Sequence, residues 1–200
     1  MRLSKISIVL FTGLNLPILF FFFLGCGPDC SPFLFETRNL LVLKAQKLTE
    51  TSLEIKYEYL HGESSEIRYD SLIFDVYVQQ KELFAGSGVP GLLFACTPDL
   101  NFQDQLSNIN IYSDQDYNED YPKGSNLNSL FQYRLNTDLP SYDLPEFIDL
   151  INQQGLGRDH FLLYLTTPPA QKLSHQIDFE IELTNGEKFH AVIENLTIEK

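Results

Sequence analysis

Residues 177–193 constrain the fold more than any other stretch. Ile177, Phe179, Ile181 and Leu183 alternate with Asp178, Glu180 and Glu182, and Phe189, Ala191 and Ile193 follow the turn residues Asn185 and Gly186. Period two over this length marks a strand with one buried face, and two such runs around a short polar turn make an antiparallel hairpin. Asn-Gly commonly occupies a two-residue type I′ turn. That turn pairs Ile181 with His190 and sets the apolar stripe of one strand against the polar stripe of the other, which a buried face does not tolerate. A three-residue loop of Thr184, Asn185 and Gly186 pairs Leu183 with Glu187 instead. Ile181 then meets Phe189, Phe179 meets Ala191 and Ile177 meets Ile193. Gly186 takes the left-handed position of a G1 bulge, which its missing Cβ allows. Matched cross-strand pairs contribute roughly 0.2–1 kcal/mol each, so three of them outweigh a modest turn preference. The expected register puts Phe179, Ile181, Phe189 and Ile193 on one buried face.

The same signal recurs along the chain. Phe33, Phe35, Leu41, Leu43 and Ala45 sit at even spacings, with Leu40 and Val42 on the other face. Leu53-Glu54-Ile55-Lys56-Tyr57-Glu58-Tyr59 alternates apolar and charged residues. Leu72, Phe74, Val76 and Val78 face one way, with Ser71, Asp75 and Gln79 facing the other. Leu92-Leu93-Phe94-Ala95-Cys96, Ile109 with Ile111, and residues 161–165 complete the strands. Ser125 predicts the cap of a short helix holding Leu127, Leu130 and Phe131. A clearer helix carries Leu144, Phe147, Ile148 and Ile151, with Asp143 as cap, Pro145 in the first turn and Gly155 as stop. Strands dominate, so the expected class is mainly β: an antiparallel β-sandwich, immunoglobulin-like or related, with two short helices inserted in connections.

The start of the chain reads as an address. Arg2 and Lys5 are the only charges before Asp29, and an apolar run follows them to Phe20-Phe21-Phe22-Phe23-Leu24-Gly25-Cys26. A basic tip, an apolar stretch and a small residue before the cut describe an export signal. Leu24-Gly25-Cys26 resembles the lipobox of bacterial lipoproteins, although Phe23 stands where leucine is usual. The resemblance implies cleavage before Cys26 and acylation of that cysteine. Residues 6–24 are also near the roughly 20 needed to span a bilayer, but Gly13, Asn15 and Pro17 interrupt them, and a span leaves Gly25-Cys26 unexplained. Several acyl chains anchor stably where one does not. The expected layout is a signal peptide at 1–25, an acylated tether at 26–32 and one β-sandwich domain at 33–200.

Charge and cysteines narrow the partners. The formal net charge is −13, and loss of Arg2 and Lys5 with the leader takes it to −15. Nucleic acid needs clustered Lys and Arg and is not expected as a partner. With Cys26 acylated, Cys30 and Cys96 remain as an even pair in an oxidising compartment. A disulfide between them closes a loop of about 66 residues, for which chain entropy gives roughly 4 kcal/mol; two free thiols are the alternative. The spacing has no Cys-x-x-Cys and no paired histidines, so no metal is expected there.

A wider resemblance rests on four features. They are the acylatable cysteine with a second close behind, the run Ser107-Asn108-Ile109-Asn110-Ile111-Tyr112-Ser113-Asp114, the run Gly124-Ser125-Asn126-Leu127-Asn128-Ser129-Leu130-Phe131, and the final hairpin. Together they resemble a family of uncharacterised lipoproteins from Bacteroides-type bacteria, over most of the mature chain. The resemblance implies an outer-membrane address, facing periplasm or cell surface, and no chemistry.

The residues themselves offer few reactive patterns. Asp114, Asp116, Asn118 and Asp120 alternate as in a calcium loop, but Glu119 replaces the turn glycine and Ser125 the bidentate glutamate. Asp114, Asp116, Tyr117, Asp120 and Tyr121 therefore define 114–124 as a candidate ligand loop for carbohydrate or metal, with a solvated acidic loop as the plain alternative. The stretch Gly86-Ser87-Gly88-Val89-Pro90-Gly91 lacks the Gly-Lys-Ser/Thr of a phosphate cradle and the Gly-x-Ser-x-Gly of a nucleophile elbow. His61, His160, His175 and His190 are scattered. Tyr57, Tyr59, Tyr69, Tyr77, Tyr112, Tyr117, Tyr121 and Tyr133 offer stacking faces. The expectation is a non-enzymatic binding or assembly module of the cell envelope, without cofactor or resident metal, held by its lipid and meeting an envelope protein; the alternative is a ligand-binding accessory using loop 114–124. Thiol counting on the mature protein without reductant is expected to find no free thiol at Cys30 or Cys96; two titrating thiols would refute the bridge.

Overall fold

Alternating apolar residues build ten strands in the computed structural model, which describes residues 33–51, 54–62, 65–83, 100–102, 104–155 and 160–200. The expected signal peptide, Cys26, Cys30, Cys96, the glycine-rich stretch 86–91 and the run 92–96 lie outside the described residues. The chain divides into two compact units, Phe35–Glu82 with Phe102–Lys200, and Met1–Leu34 with Leu83–Asn101. Few residues of the second are described, and the architecture that follows is that of the first.

The strands are β1 (Phe33–Glu50), β2 (Ile55–Tyr59), β3 (Ser65–Arg68), β4 (Leu72–Leu83), β5 (Leu100–Phe102), β6 (Leu106–Ser113), β7 (Phe131–Arg134), β8 (Phe161–Leu165), β9 (Leu173–Leu183) and β10 (Lys188–Glu199). One sheet runs β2-β1-β4-β8-β7 and the other β3-β10-β9-β6. The fold is mainly β, with two sheets in a sandwich-like arrangement. The pairs β1–β2, β4–β8, β7–β8, β6–β9 and β9–β10 are antiparallel, and β3 pairs in parallel with β10. Leu40, Val42, Phe74, Val76, Phe161 and Leu163 from the first sheet share one core with Ile109, Ile111, Ile177, Phe179, Ile181, Leu196 and Ile198 from the second. Phe74 and Phe179 meet across it edge to face, with ring centroids 4.9 Å apart.

The hairpin has the register its apolar stripes require. Phe189 pairs with Ile181, Ala191 with Phe179 and Ile193 with Ile177. Gly186 has φ +87°, its N–H donates to the Leu183 carbonyl at 2.9 Å, and the Leu183 N–H donates to the Glu187 carbonyl at 2.9 Å. Further along β10 the pairing shifts between Ile193 and Leu196, and Asn195 takes φ +54°. This bulge changes the phase of the strand, so Ile193 before it and Leu196 and Ile198 after it all face inward. Asparagine is among the few residues that adopt this conformation readily.

Helix α1 (Leu144–Gln154) forms where its caps predict. The Asp143 carboxylate accepts the Glu146 N–H at 3.2 Å, Pro145 sits in the first turn and Gly155 follows the last. Phe147 and Ile151 are its buried residues, and Phe147 packs on Tyr133 and Phe161. The helix lies against β6 and β7, the end strands of the two sheet orders. There Asn152 Oδ1 accepts the Leu106 N–H at 2.8 Å, and its Nδ2 donates to the Leu106 carbonyl at 2.9 Å. A side-chain amide thus satisfies backbone that an edge strand leaves open. The second expected helix is a single 3-10 turn at Asn128–Leu130 followed by β7. Asn126 accepts the Asn128 N–H at 2.8 Å, and Asn128 bonds to the Ile111 N–H and the Ile109 carbonyl. Such local side-chain bonds compete with helix formation.

Phe179→Ala removes the ring that links the two sheets. It is expected to cost about 3–5 kcal/mol, the range for deleting a buried aromatic side chain, read as a lower denaturant midpoint; a loss below about 1 kcal/mol would contradict this packing.

Candidate functional site

Strand β4 is central in its sheet, and that position decides what its outer face can hold. Leu72, Phe74, Val76 and Val78 face the main core as expected. The other face is covered too. Ile73 joins Ala45, Ile55 and Leu162 in a smaller buried cluster flanked by Tyr57 and Tyr164. Asp75, which alternation sets on the face opposite the core, is 0 % exposed. Neighbours on both sides of β4 cover a residue that an edge strand would leave wet.

A buried carboxylate must be paired or hydrogen-bonded. Asp75 gathers four groups. Its Oδ2 accepts from the hydroxyls of Tyr57 at 3.0 Å, Tyr59 at 2.7 Å and Tyr77 at 3.1 Å. Its Oδ1 lies 2.6 Å from His160 Nδ1. The Tyr59 and Tyr77 oxygens are themselves 2.9 Å apart. Tyr57 and Tyr59 come from β2, Asp75 and Tyr77 from β4, and His160 stands just before β8. Strand β1 lies between β2 and β4, so the tyrosines reach across two strand spacings, about 9.5 Å. Ala45, fully buried and paired with Tyr59, supplies the small side chain such a crossing needs. The rim meets solvent: Tyr59 is 38 % exposed and His160 28 %.

The electrostatics follow from burial and these contacts. Burial is the largest influence on Asp75 and alone would raise its pKa. The hydrogen bonds from His160 and Tyr59, with the His160 charge and Tyr57, outweigh it and hold the carboxyl below its usual range. Burial first, and the Asp75 charge second, push Tyr57 up to about 12. Burial also raises Tyr59 and Tyr77. All three phenols are neutral at pH 7.

Two carboxylates of the candidate ligand loop 114–124 accept backbone N–H groups. Asp114 Oδ1 accepts the Gln176 N–H at 2.7 Å and Asp116 Oδ1 the Lys123 N–H at 2.7 Å. Asn118 Oδ1 takes the N–H groups of Asp120 and Tyr121. Tyr117 is a core residue, 1 % exposed, whose hydroxyl donates to the Thr167 carbonyl at 2.7 Å. Tyr121 remains half-buried, its hydroxyl 2.6 Å from Ser129 Oγ.

A second polar pair is buried. Ser113 Oγ lies 2.8 Å from His175 Nδ1 and receives the Gln115 N–H at 3.1 Å. Burial pushes His175 down, against a smaller upward pull from Asp114. At 4 % and 1 % exposure the pair is sealed from substrate, and Asp114 bonds to the Gln176 N–H instead of orienting the imidazole.

Among the described residues, no three His, Cys, Asp or Glu side chains gather as metal ligands, and no helix is long and apolar enough to cross a membrane. No family model matches the chain, and no curated protein or solved structure does.

Asp75→Asn tests the cluster. The amide places an N–H₂ donor where donors already converge, so the variant is expected to lose about 3 kcal/mol, the scale of breaking a buried charged set. The sign of the pH effect is fixed. A carboxyl depressed in the folded state adds stability above its unfolded pKa and loses it as pH falls through the folded value. The gap between wild type and variant in denaturant midpoint should therefore narrow on acidification below about pH 4; a constant gap, or none, would refute the account.

Proposed function

We propose that this chain is a non-enzymatic lipoprotein of the cell envelope, held at the outer membrane by acylated Cys26, that binds through the outer face of its first sheet around Asp75. The observation that carries the reading is the convergence of Tyr57, Tyr59, Tyr77 and His160 on one fully buried carboxylate at a face whose rim reaches solvent. Perturbed titratable groups gathered at a partly open surface mark functional sites more often than chance. Binding fits these groups better than catalysis. Asp75 is engaged by four donors, and the phenols are driven away from the range in which they exchange protons at neutral pH. The Ser113 and His175 pair, the other catalytic candidate, is buried. The address rests on Leu24-Gly25-Cys26 and on the resemblance to lipoproteins of Bacteroides-type bacteria. The acidity disfavours nucleic acid as the ligand.

The test has two arms in the native envelope. Cys26→Ser is expected to abolish lipid labelling and release the protein; unchanged acylation would sink the address. A photo-crosslinking residue at exposed Gln79, on the Asp75 face of β4, is expected to give discrete adducts by mass spectrometry, and one at Lys188 on the second sheet is not. Equal adducts from both positions, or none from Gln79, would remove this face as the surface for a macromolecular partner.

A further inference from the structure

The oxygens around Asp75 outnumber the protons available to join them. Asp75 Oδ2, Tyr59 and Tyr77 form a triangle with edges of 2.7, 2.9 and 3.1 Å. Three short oxygen contacts share two phenolic protons, so one edge has none. Tyr57 brings its own proton to the same Oδ2 at 3.0 Å. Three phenols thus crowd one carboxylate oxygen, while an ionised carboxylate offers about two lone pairs per oxygen.

Those spacings match the face of a coordination octahedron. An ion with bonds of about 2.0 Å to oxygen sets neighbouring ligands about 2.8 Å apart. With Tyr59 and Tyr77 as phenolates and Asp75 ionised, the triangle carries three negative charges. A trivalent ion balances the three, and hard anionic oxygens suit a hard, highly charged cation. The remaining groups then have defined places. Tyr57 donates to the second lone pair of Oδ2, and His160 holds Oδ1 at 2.6 Å, which fixes the carboxylate as supporting hydrogen bonds do around bound metals.

The rings argue against an organic cation. Stacking on a cation or a sugar needs free aromatic faces around one opening. Here Tyr57 and Tyr59 meet edge to face at 5.7 Å and 85°, and Tyr77 lies against the His160 ring at 5.1 Å. The oxygens converge and the ring faces do not.

We propose that Asp75, Tyr59 and Tyr77 form a binding site for a hard trivalent metal ion such as iron(III), positioned by Tyr57 and His160. Binding releases two phenolic protons to solvent and leaves the remaining coordination positions to water or a small anion. The proposal deepens the reading of this face as the binding surface and rests on it.

The experiment titrates the full chain, untagged and in detergent, with ferric nitrilotriacetate and follows visible absorption. A phenolate-to-iron charge-transfer band saturating at one ion per chain is expected. Tyr59→Phe and Tyr77→Phe each keep the ring and remove a ligand oxygen, and each should abolish the one-to-one band. Tyr57→Phe and His160→Ala should weaken iron binding by about 10–100-fold while the band remains. Tyr121→Phe, whose hydroxyl meets Ser129 elsewhere, should change nothing. Denaturant midpoints establish that each variant is folded, and gallium(III), read by the ultraviolet difference spectrum of tyrosinate, repeats the measurement without redox chemistry. No band at saturating iron, or a band that survives in the Tyr59→Phe Tyr77→Phe double variant, overturns the proposal. Gln79 crosslinks without the band would leave the binding face and remove the metal; the band without crosslinks would leave the metal and remove a macromolecular partner.

Discussion

The first sheet is organised around a charge in a place where water cannot reach it. Moving an ionised carboxylate into a protein interior costs several kcal/mol even after relaxation, so Asp75 can sit at the centre of β4 only with partners around it. That requirement reaches across the sheet. It explains tyrosines at two alternate positions of β2, a third two residues along from Asp75 and a histidine at the entry to β8. It also gives Ala45 a role that its own chemistry does not announce, because a larger side chain on β1 would block the path from β2 to β4.

The fold was most legible where one strand face is buried and the other wet. The hairpin of β9 and β10 is such a case, and burial alone selects its register over the commoner turn. Helix α1 was legible for a different reason: its cap, proline and stop are local, and local signals survive in sequence. The segment at 125–131 failed because Asn126 and Asn128 give their amides to nearby backbone, which apolar spacing does not register. Bulges are similarly silent. The shift between Ile193 and Leu196 changes the phase of β10, and a reading by strict alternation places one side of it wrongly.

The candidate site was illegible for a reason that applies to any central strand. Alternation divides residues into two faces but does not say whether the second face is covered. Asp75 within Ile73-Phe74-Asp75-Val76 was the available signal, since an acidic residue flanked by large apolar ones on both sides is at odds with a solvated face. Its partners gave less. Tyr57 and Tyr59 were visible as an alternating pair, but His160 stands 85 positions from Asp75, and no periodicity links residues that far apart. Loop 114–124 poses the opposite question, because alternating carboxylates can mark a ligand site. Turn-rich segments also use acidic and amide side chains to satisfy their own N–H groups; Asp116 and Asn118 do this, and Asp114 accepts the Gln176 N–H from β9.

The outer face of the first sheet contains its own comparison. Beside the polar cluster, Ala45, Ile55, Ile73 and Leu162 cover the same face with apolar side chains alone. The backbone there accepts hydrophobic packing, and replacing buried ionic groups by well-packed apolar ones of similar volume is often neutral or stabilising. The fold therefore does not require Asp75, nor three tyrosines whose hydroxyls must all be satisfied around it. A second polar device, the Ser113 and His175 pair, closes inside the structure and reaches no solvent. The Asp75 cluster differs because its rim is open at Tyr59 and His160. A buried charge that the scaffold can do without, at a face that solvent can reach, is accounted for by what its oxygens can bind, and this argument directs attention to the Asp75 face ahead of the acidic loop.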